Sequence, residues 1–159
     1  MEKIVFLLII VFVISANVTN AQEYIPGYNF KEVRTILQNK AKFKFDGKEK
    51  WENSTTYYFK KAQGLNDFLV DVTAKENGKI LEITAQIHNN SSNEKISKSF
   101  LQLVGSFLSG GASKKYTEEL SPWIIKHYKK GGETTFRGVR VILNTSGQSW
   151  QMLTLAAQK

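Results

Sequence analysis

The sequence predicts an α+β protein with a single antiparallel sheet of about five strands and helices packed on one face. Two observations predict this class. Segments in which apolar and polar residues alternate outnumber segments of helical periodicity. The clearest of them, 67–75 and 79–88, flank Asn77-Gly78, a dipeptide typical of tight hairpin turns. Because each segment has a polar side, the sheet is expected to be antiparallel with one face in water.

The first half of the chain is predicted to form a helix followed by three strands. Asn29 is placed to cap a helix from Phe30 to about Lys40, whose apolar residues recur at helical spacing. Residues 41–45 alternate as a short strand or extended arm, and Asp46-Gly47 is typical of a turn. The three strands are predicted at 55–61, 67–75 and 79–88.

The second half is predicted to contain two helices and two strands. Ser91 and Glu94 fit a capping box for a helix with an apolar stripe at Ile96, Phe100, Leu103, Val104 and Phe107. A second helix is predicted from Ser121, with Pro122 in its first turn and Gly131 just past its end. Strands are expected at 134–143 and 149–157. The predicted element order is therefore α-β-β-β-α-α-β-β.

The first 21 residues have the pattern of an export signal. Lys3 and the amino terminus give a positive start, and residues 4–14 form an apolar run too short to span a bilayer comfortably. Small residues at Thr19 and Ala21 precede a predicted cleavage site ahead of Gln22. We expect a signal peptide at 1–21 and one exported α+β domain at 22–159, in the periplasm, at the cell surface or in the medium. The alternative is an uncleaved signal anchor, since Glu2 weakens the positive start.

Composition restricts how such a domain is stabilised and what it attracts. Removal of 21 residues from 159 leaves 138, enough to bury a hydrophobic core. The chain has no cysteine, so packing and hydrogen bonds must stabilise it without disulfides. Its formal net charge of +8 favours anionic partners, although a basic surface also serves solubility.

Sequence patterns for catalysis and metal binding are weak in this chain. The two histidines, His88 and His127, lie on different predicted elements, and His88 is interpreted as a solvated residue at a strand end. Glu118-Glu119 near His127 is interpreted as a pair of acidic residues before a helix start. A nucleophile motif is absent, and so is a cysteine nucleophile. We therefore predict no catalytic residues, no metal and no cofactor.

Lysines interleaved with aromatic residues form the most suggestive segment of the sequence. Cations beside flat rings are suited to holding an anionic polymer. The alternative is an amphipathic strand with its rings in the core and its lysines in water, and the position of Trp51 discriminates between the two. The candidate binding residues are Lys42, Lys44, Lys48, Lys50, Trp51, Lys60 and Lys61.

These observations lead to a hypothesis of function with two alternatives. The first is an exported, non-enzymatic binding module whose basic face contacts an anionic polymer, an anionic membrane surface or an acidic protein. The second is a carrier of a small apolar ligand, held in a pocket lined by Phe100, Phe107, Trp123 and Ile125. The third is a small secreted hydrolase or an inhibitor of one, which requires a cleft with His127 beside a carboxylate.

Overall fold

The computed structural model describes residues 23–63, 66–89, 94–109, 116–146 and 150–158. Within these ranges seven strands form one antiparallel sheet, and they span Lys44–Lys50 (β1), Thr55–Gln63 (β2), Asn66–Ala74 (β3), Ile80–Asn89 (β4), Gly132–Phe136 (β5), Val139–Ser146 (β6) and Trp150–Ala157 (β7). The spatial order of the strands is β1-β2-β3-β4-β7-β6-β5. The first four strands and the last three each form a meander, and β7 pairs with β4.

In the described residues, three short α-helices accompany the sheet. They span Phe30–Thr35 (α1), Glu94–Ser106 (α2) and Ser121–His127 (α3). A π-helical turn, Ile36–Lys40, extends α1, and another, Tyr116–Leu120, leads into α3. The 3-10 turn Phe107–Ser109 follows α2. None of the described helices is long and apolar enough to cross a membrane.

The expectation of about five strands with helices packed on one face is wrong, although the α+β class is confirmed. The sheet has seven strands, and the described chain is mostly strand. The helices are short, with 6, 13 and 7 residues, and do not form a clear layer on one face of a five-stranded sheet. The observed order is α-β-β-β-β-α-α-β-β-β.

One additional strand arises from a turn inside the predicted strand 134–143. Arg137 and Gly138 have φ values of 53° and 76°, so both occupy the left-handed region. Phe136 pairs directly with Val139 across them. Two consecutive left-handed residues are the requirement of a two-residue type I′ hairpin turn. Arginine is not a residue that this turn favours. The alternating pattern of residues 134–143 therefore gives no sign that a turn divides it.

The turn at Asn77-Gly78 joins β3 to β4 as expected, but the two-residue turn that this dipeptide predicts is wrong. A two-residue turn would require positive φ at both residues, whereas of the two only Gly78 has it, at 81°. The Gly78 amide donates to the Lys75 carbonyl at 2.9 Å, and the Lys75 amide donates to the Lys79 carbonyl at 2.9 Å. The connection is therefore a three-residue loop that ends on a left-handed glycine.

Several local predictions about helices are confirmed. The Asn29 side chain accepts from the Glu32 amide, and the Glu32 side chain accepts from the Asn29 amide, which completes a capping box. Pro122 lies in the first turn of α3, and Gly131 follows its end with φ 71°. The predicted signal peptide and the residues around Ser91 lie outside the described residues.

The hydrophobic core combines the sheet with the helices. Phe100, Val104 and Phe107 of the predicted helical stripe are buried, and Leu103 is half-buried. The alternation within residues 134–143 and 149–157 predicts six inward-facing residues. Five of them are buried, namely Val139, Val141, Leu143, Leu153 and Leu155, whereas Ala157 is only half-buried. Val33 and Leu37 from the first helical segment belong to the same core cluster.

Candidate functional site

The strand register assigns each side chain to one of two faces, because residues directly opposite on adjacent antiparallel strands point the same way. One cross-strand row is fully buried and defines the inner face: Phe59, Val70, Ala85 and Leu153. The neighbouring row is exposed or half-buried and defines the outer face: Lys60, Leu69, Gln86 and Met152.

A β-bulge in β1 divides the candidate lysines between these two faces. Lys44 pairs with Lys60 and lies on the outer face, but the register shifts at Asp46, just before Gly47. One extra residue reverses the alternation of the side chains that follow it. Lys48 and Lys50 therefore lie on the inner-face side of β1, where they do not share a surface with Lys44.

Four of the candidate lysines nevertheless line one depression, at the end of the outer face where β2 leads towards β3. The depression has a volume of about 560 Å³. Its lining consists of Lys42, Lys44, Lys60, Lys61, Ala62, Asp67, Phe68, Leu69 and His88. The residues come from the start of β1, the end of β2, the start of β3 and the end of β4, so the meander of the first four strands builds the site.

Two of these four lysines are already engaged within the protein. Lys60 forms an ion pair with Asp46, the bulge residue. The Lys61 ammonium donates to the Ala41 carbonyl at 2.8 Å and lies 5.9 Å from the centre of the Phe43 ring. Their charge contributes to the depression, but their hydrogen-bonding capacity is partly used.

Lys42 and Lys44 are the free cations of the depression. Both are exposed, and within the described part of the chain neither forms an ion pair. Lys42 has φ 63° and precedes β1, so the chain turns sharply just before the strand begins. These two ammonium groups are available to an anionic ligand without breaking an internal contact.

Asp67 and His88 lie on the opposite side of the depression. They are directly paired across β3 and β4, and both are exposed. The interpretation of His88 as a solvated residue at a strand end is confirmed, but its pairing with Asp67 was not predicted. This pairing results from the three-residue loop between Lys75 and Lys79 together with the register shift between Thr73 and Ala74, which the sequence pattern does not reveal.

Trp51 and Lys50 lie away from this depression. The seven residues of β1 span roughly 23 Å at about 3.3 Å each, and Trp51 follows the far end of the strand from Lys44. The Trp51 side chain is 53% exposed, and its indole N–H donates to the Thr56 hydroxyl at 3.2 Å. Lys50 lies 3.9 Å from a carboxylate oxygen of Glu76. The structure therefore does not bring Trp51 and Lys50 together with the lysines of the depression.

An acidic region lies in the middle of the outer face. Burial and the charge of Glu82 raise the pKa of Asp71 to about 6, while a hydrogen bond from Gln86 at 3.3 Å opposes that shift. The Tyr58 hydroxyl donates to Glu49 at 2.9 Å, which raises the pKa of Tyr58. These carboxylates repel anions and so restrict the favourable region to the lysine-rich end.

The residues predicted for an apolar pocket do not form one wall. Phe100 is buried against Phe68, with ring centres 4.9 Å apart, and Phe107 is also buried. Ile125, in contrast, is 45% exposed on α3. Trp123 is half-buried and stacks on a histidine of its own helix.

His127 has a structural environment on α3. Its ring stacks on Trp123 with centres 4.5 Å apart, and its Nδ1 lies 2.8 Å from the Trp123 carbonyl oxygen. Among the described residues, no group of three or more His, Cys, Asp or Glu is arranged to hold a metal ion. Comparison of the chain with protein-family models, curated proteins and solved structures finds no match.

Proposed function

We propose that the protein is a non-enzymatic binding module that holds an anionic partner in the depression lined by Lys42, Lys44, Lys60 and Lys61. The observation that carries this proposal is the position of the free cations Lys42 and Lys44 at the rim of a concave surface of about 560 Å³. A concave surface lined by one sign of charge concentrates the electrostatic field and attracts ligands of the opposite sign.

The distribution of charge along the outer face supports the same function. The four lysines of the depression lie at one end, whereas Asp71, Glu82 and Glu49 lie in the middle and at the other end, where Lys75 accompanies Glu82. Positive charge that served solubility alone would not require the lysines of the depression to be separated from these carboxylates. The partner is an anionic polymer, an anionic membrane surface or an acidic protein that places an anionic group in the depression.

Export to the cell envelope or medium is part of the proposal. It is supported by the apolar run at residues 4–14, which is followed by small residues up to Ala21. Mass spectrometry of the protein recovered from its native cells tests it. A chain that begins at or near Gln22 is expected, and a chain that retains residues 4–14 would contradict the cleavage.

A pair of matched double substitutions tests the binding site. Lys42→Gln/Lys44→Gln removes the free cations of the depression, whereas Lys48→Gln/Lys50→Gln removes the same charge from the same segment away from it. Binding to heparin, single-stranded DNA and anionic liposomes is measured at low and at physiological salt. The first double variant should weaken binding about tenfold or more and should reduce the salt dependence, because fewer counterions are displaced.

The control variant should retain most of the affinity, since long-range charge effects are screened beyond about 10 Å at moderate salt. Equal losses in the two variants would show that net charge, and not the depression, attracts the ligands. Absence of binding to all three probes at low salt would contradict the proposed function as a whole.

A further inference from the structure

The depression consists of two chemically different halves. The half formed by β1 and β2 presents ammonium groups, of which those of Lys42 and Lys44 are free. The half formed by β3 and β4 presents the Asp67 carboxylate beside the His88 imidazole. The half-buried side chain of Leu69 lies in the adjoining cross-strand row. A ligand that fills the site must therefore satisfy cations, a hydrogen-bond acceptor and an imidazole together.

Polyphosphate and nucleic-acid backbones satisfy only the lysine half. Phosphate oxygens at neutral pH accept hydrogen bonds and carry charge along the whole polymer. Such a chain would place its oxygens against the Asp67 carboxylate, where like charges repel. Asp67 therefore selects against densely charged polyanions.

A ligand with an ammonium group is also a poor match for the second half. An ammonium group only donates hydrogen bonds, so it leaves the N–H of the His88 imidazole without an acceptor, and the nearby ammonium groups of Lys42 and Lys44 repel it. Hydroxyl groups both donate and accept, so one hydroxyl can donate to Asp67 while a neighbouring hydroxyl accepts from His88. The second half is therefore complementary to adjacent hydroxyl groups.

We infer that the anionic partner is an acidic carbohydrate, whose carboxylates bind Lys42 and Lys44 and whose hydroxyls bind Asp67 and His88. This inference rests on the proposed binding function and names its ligand class. The C–H face of a sugar ring is apolar and suits contact with Leu69, which lies directly opposite Lys60 in the lining of the depression. The volume of about 560 Å³ lies within the range of about 300–1,000 Å³ that is usual for ligand sites.

Three small probes test the ligand class by calorimetric titration of the protein. Trigalacturonate carries carboxylates and hydroxyls, maltotriose carries hydroxyls alone, and tripolyphosphate carries charge without hydroxyls. The wild-type protein should bind trigalacturonate at least tenfold more tightly than tripolyphosphate, although tripolyphosphate has the higher charge. Maltotriose should bind at least tenfold more weakly than trigalacturonate, because it lacks the carboxylates for Lys42 and Lys44.

Substitution of Asp67 gives the decisive comparison. Asp67→Ala should weaken trigalacturonate binding about tenfold and strengthen tripolyphosphate binding, because the acceptor for the hydroxyls and the repulsion of phosphate disappear together. Glu119→Ala is the matched control, since it removes one negative charge from an exposed residue in the turn before α3. That variant should leave the ratio of the two affinities unchanged.

The outcomes separate the ligand class from the binding function. If Asp67→Ala raises the affinity for trigalacturonate and for tripolyphosphate by the same factor, the site binds anions without recognising hydroxyl groups. The carbohydrate inference is then wrong, while the binding function stands. If the wild-type protein binds none of the probes and none of the larger polyanions, both fail. His88→Ala provides a second variant, expected to weaken trigalacturonate more than tripolyphosphate, and a circular dichroism melt verifies the fold of each variant.

Discussion

Lys44 of β1 lies directly opposite Lys60 of β2 on the outer face of the sheet. Like charges at directly opposed positions destabilise a pair of strands. Asp46, the extra residue of the bulge, compensates through its ion pair with Lys60. The bulge therefore has two effects, because it stabilises a local concentration of positive charge and also moves Lys48 and Lys50 to the other face.

Substitution of Asp46 should affect binding more than stability. Asp46→Asn removes the internal partner of Lys60, so a third ammonium group becomes available to an anion in the depression. We expect the affinity for trigalacturonate to rise several-fold, measured by titration calorimetry. The free energy of unfolding should change by no more than about 0.5 kcal/mol, as is usual for exposed positions. A fall in affinity would show that Asp46 positions Lys60 for binding instead of competing with the ligand.

Gly131 is expected to tolerate substitution less well than Gly78. Both have positive φ, 71° and 81°, which disfavours any side chain. A Cβ at Gly131 would lie 2.7 Å from the Leu143 carbonyl oxygen, whereas a Cβ at Gly78 would meet no atom within 4 Å. Gly78→Ala should therefore cost about 1 kcal/mol for the backbone conformation alone, and Gly131→Ala clearly more. Urea unfolding measures the free energy of unfolding of both variants. Equal losses would contradict the close approach of residue 131 to the Leu143 carbonyl oxygen.

Phe100 should contribute strongly to stability. It is 7% exposed and packs against Phe43 and Phe68, with ring centres 5.8 and 4.9 Å away. Phe100→Ala should lower the free energy of unfolding by about 3–5 kcal/mol through lost burial and the cavity left behind. Ile125→Ala, at a residue 45% exposed, is the control and should cost far less. Similar losses in the two variants would show that α2 does not anchor the core.

The sequence supports correct prediction of the elements whose periodicity is regular. Strands β3 and β4 alternate regularly over most of their length, so most of their pairing and of their buried residues follow from the pattern. The register shifts only near the turn, between Thr73 and Ala74, where Ile80 is buried and Leu81 is half-buried. The sheet was underestimated where local geometry interrupts the pattern. Arg137-Gly138 forms a tight turn although arginine is not typical of such turns. The sequence therefore predicts β5 and β6 as a single strand.

The sequence identifies most residues of the candidate site but not how they are arranged in space. The lysines were identified from the sequence, and a regular strand would place Lys44, Lys48 and Lys50 on one face. Asp46-Gly47 was interpreted as a turn between elements, whereas it forms a bulge inside β1 that separates these lysines. Whether such a dipeptide ends a strand or kinks it depends on the pairing with β2, and this long-range contact has no local signal.

Asp71 should make the stability of the protein depend on pH. Its folded-state pKa is raised from 3.8 to about 6, mainly by burial and secondarily by the charge of Glu82. A carboxyl group with a higher pKa in the folded state binds more protons when folded, so its unfavourable contribution to stability disappears as the pH falls from about 7 to about 4. At pH 7.5, Asp71→Asn should therefore be more stable than the wild type, because the amide carries no charge to desolvate.

The quantity to measure is the difference in melting temperature between Asp71→Asn and the wild type, since carboxylates that do not interact with Asp71 contribute equally to both proteins. The advantage of Asp71→Asn at pH 7.5 should shrink steadily towards pH 4, where Asp71 of the wild type is protonated and equally uncharged. Asp67→Asn removes the same charge from an exposed position of the same strand and serves as the control. A difference for Asp71→Asn that stays constant between pH 7.5 and pH 4 would show that the substitution acts through packing or hydrogen bonding, and that the Asp71 carboxylate is not destabilised in the folded sheet.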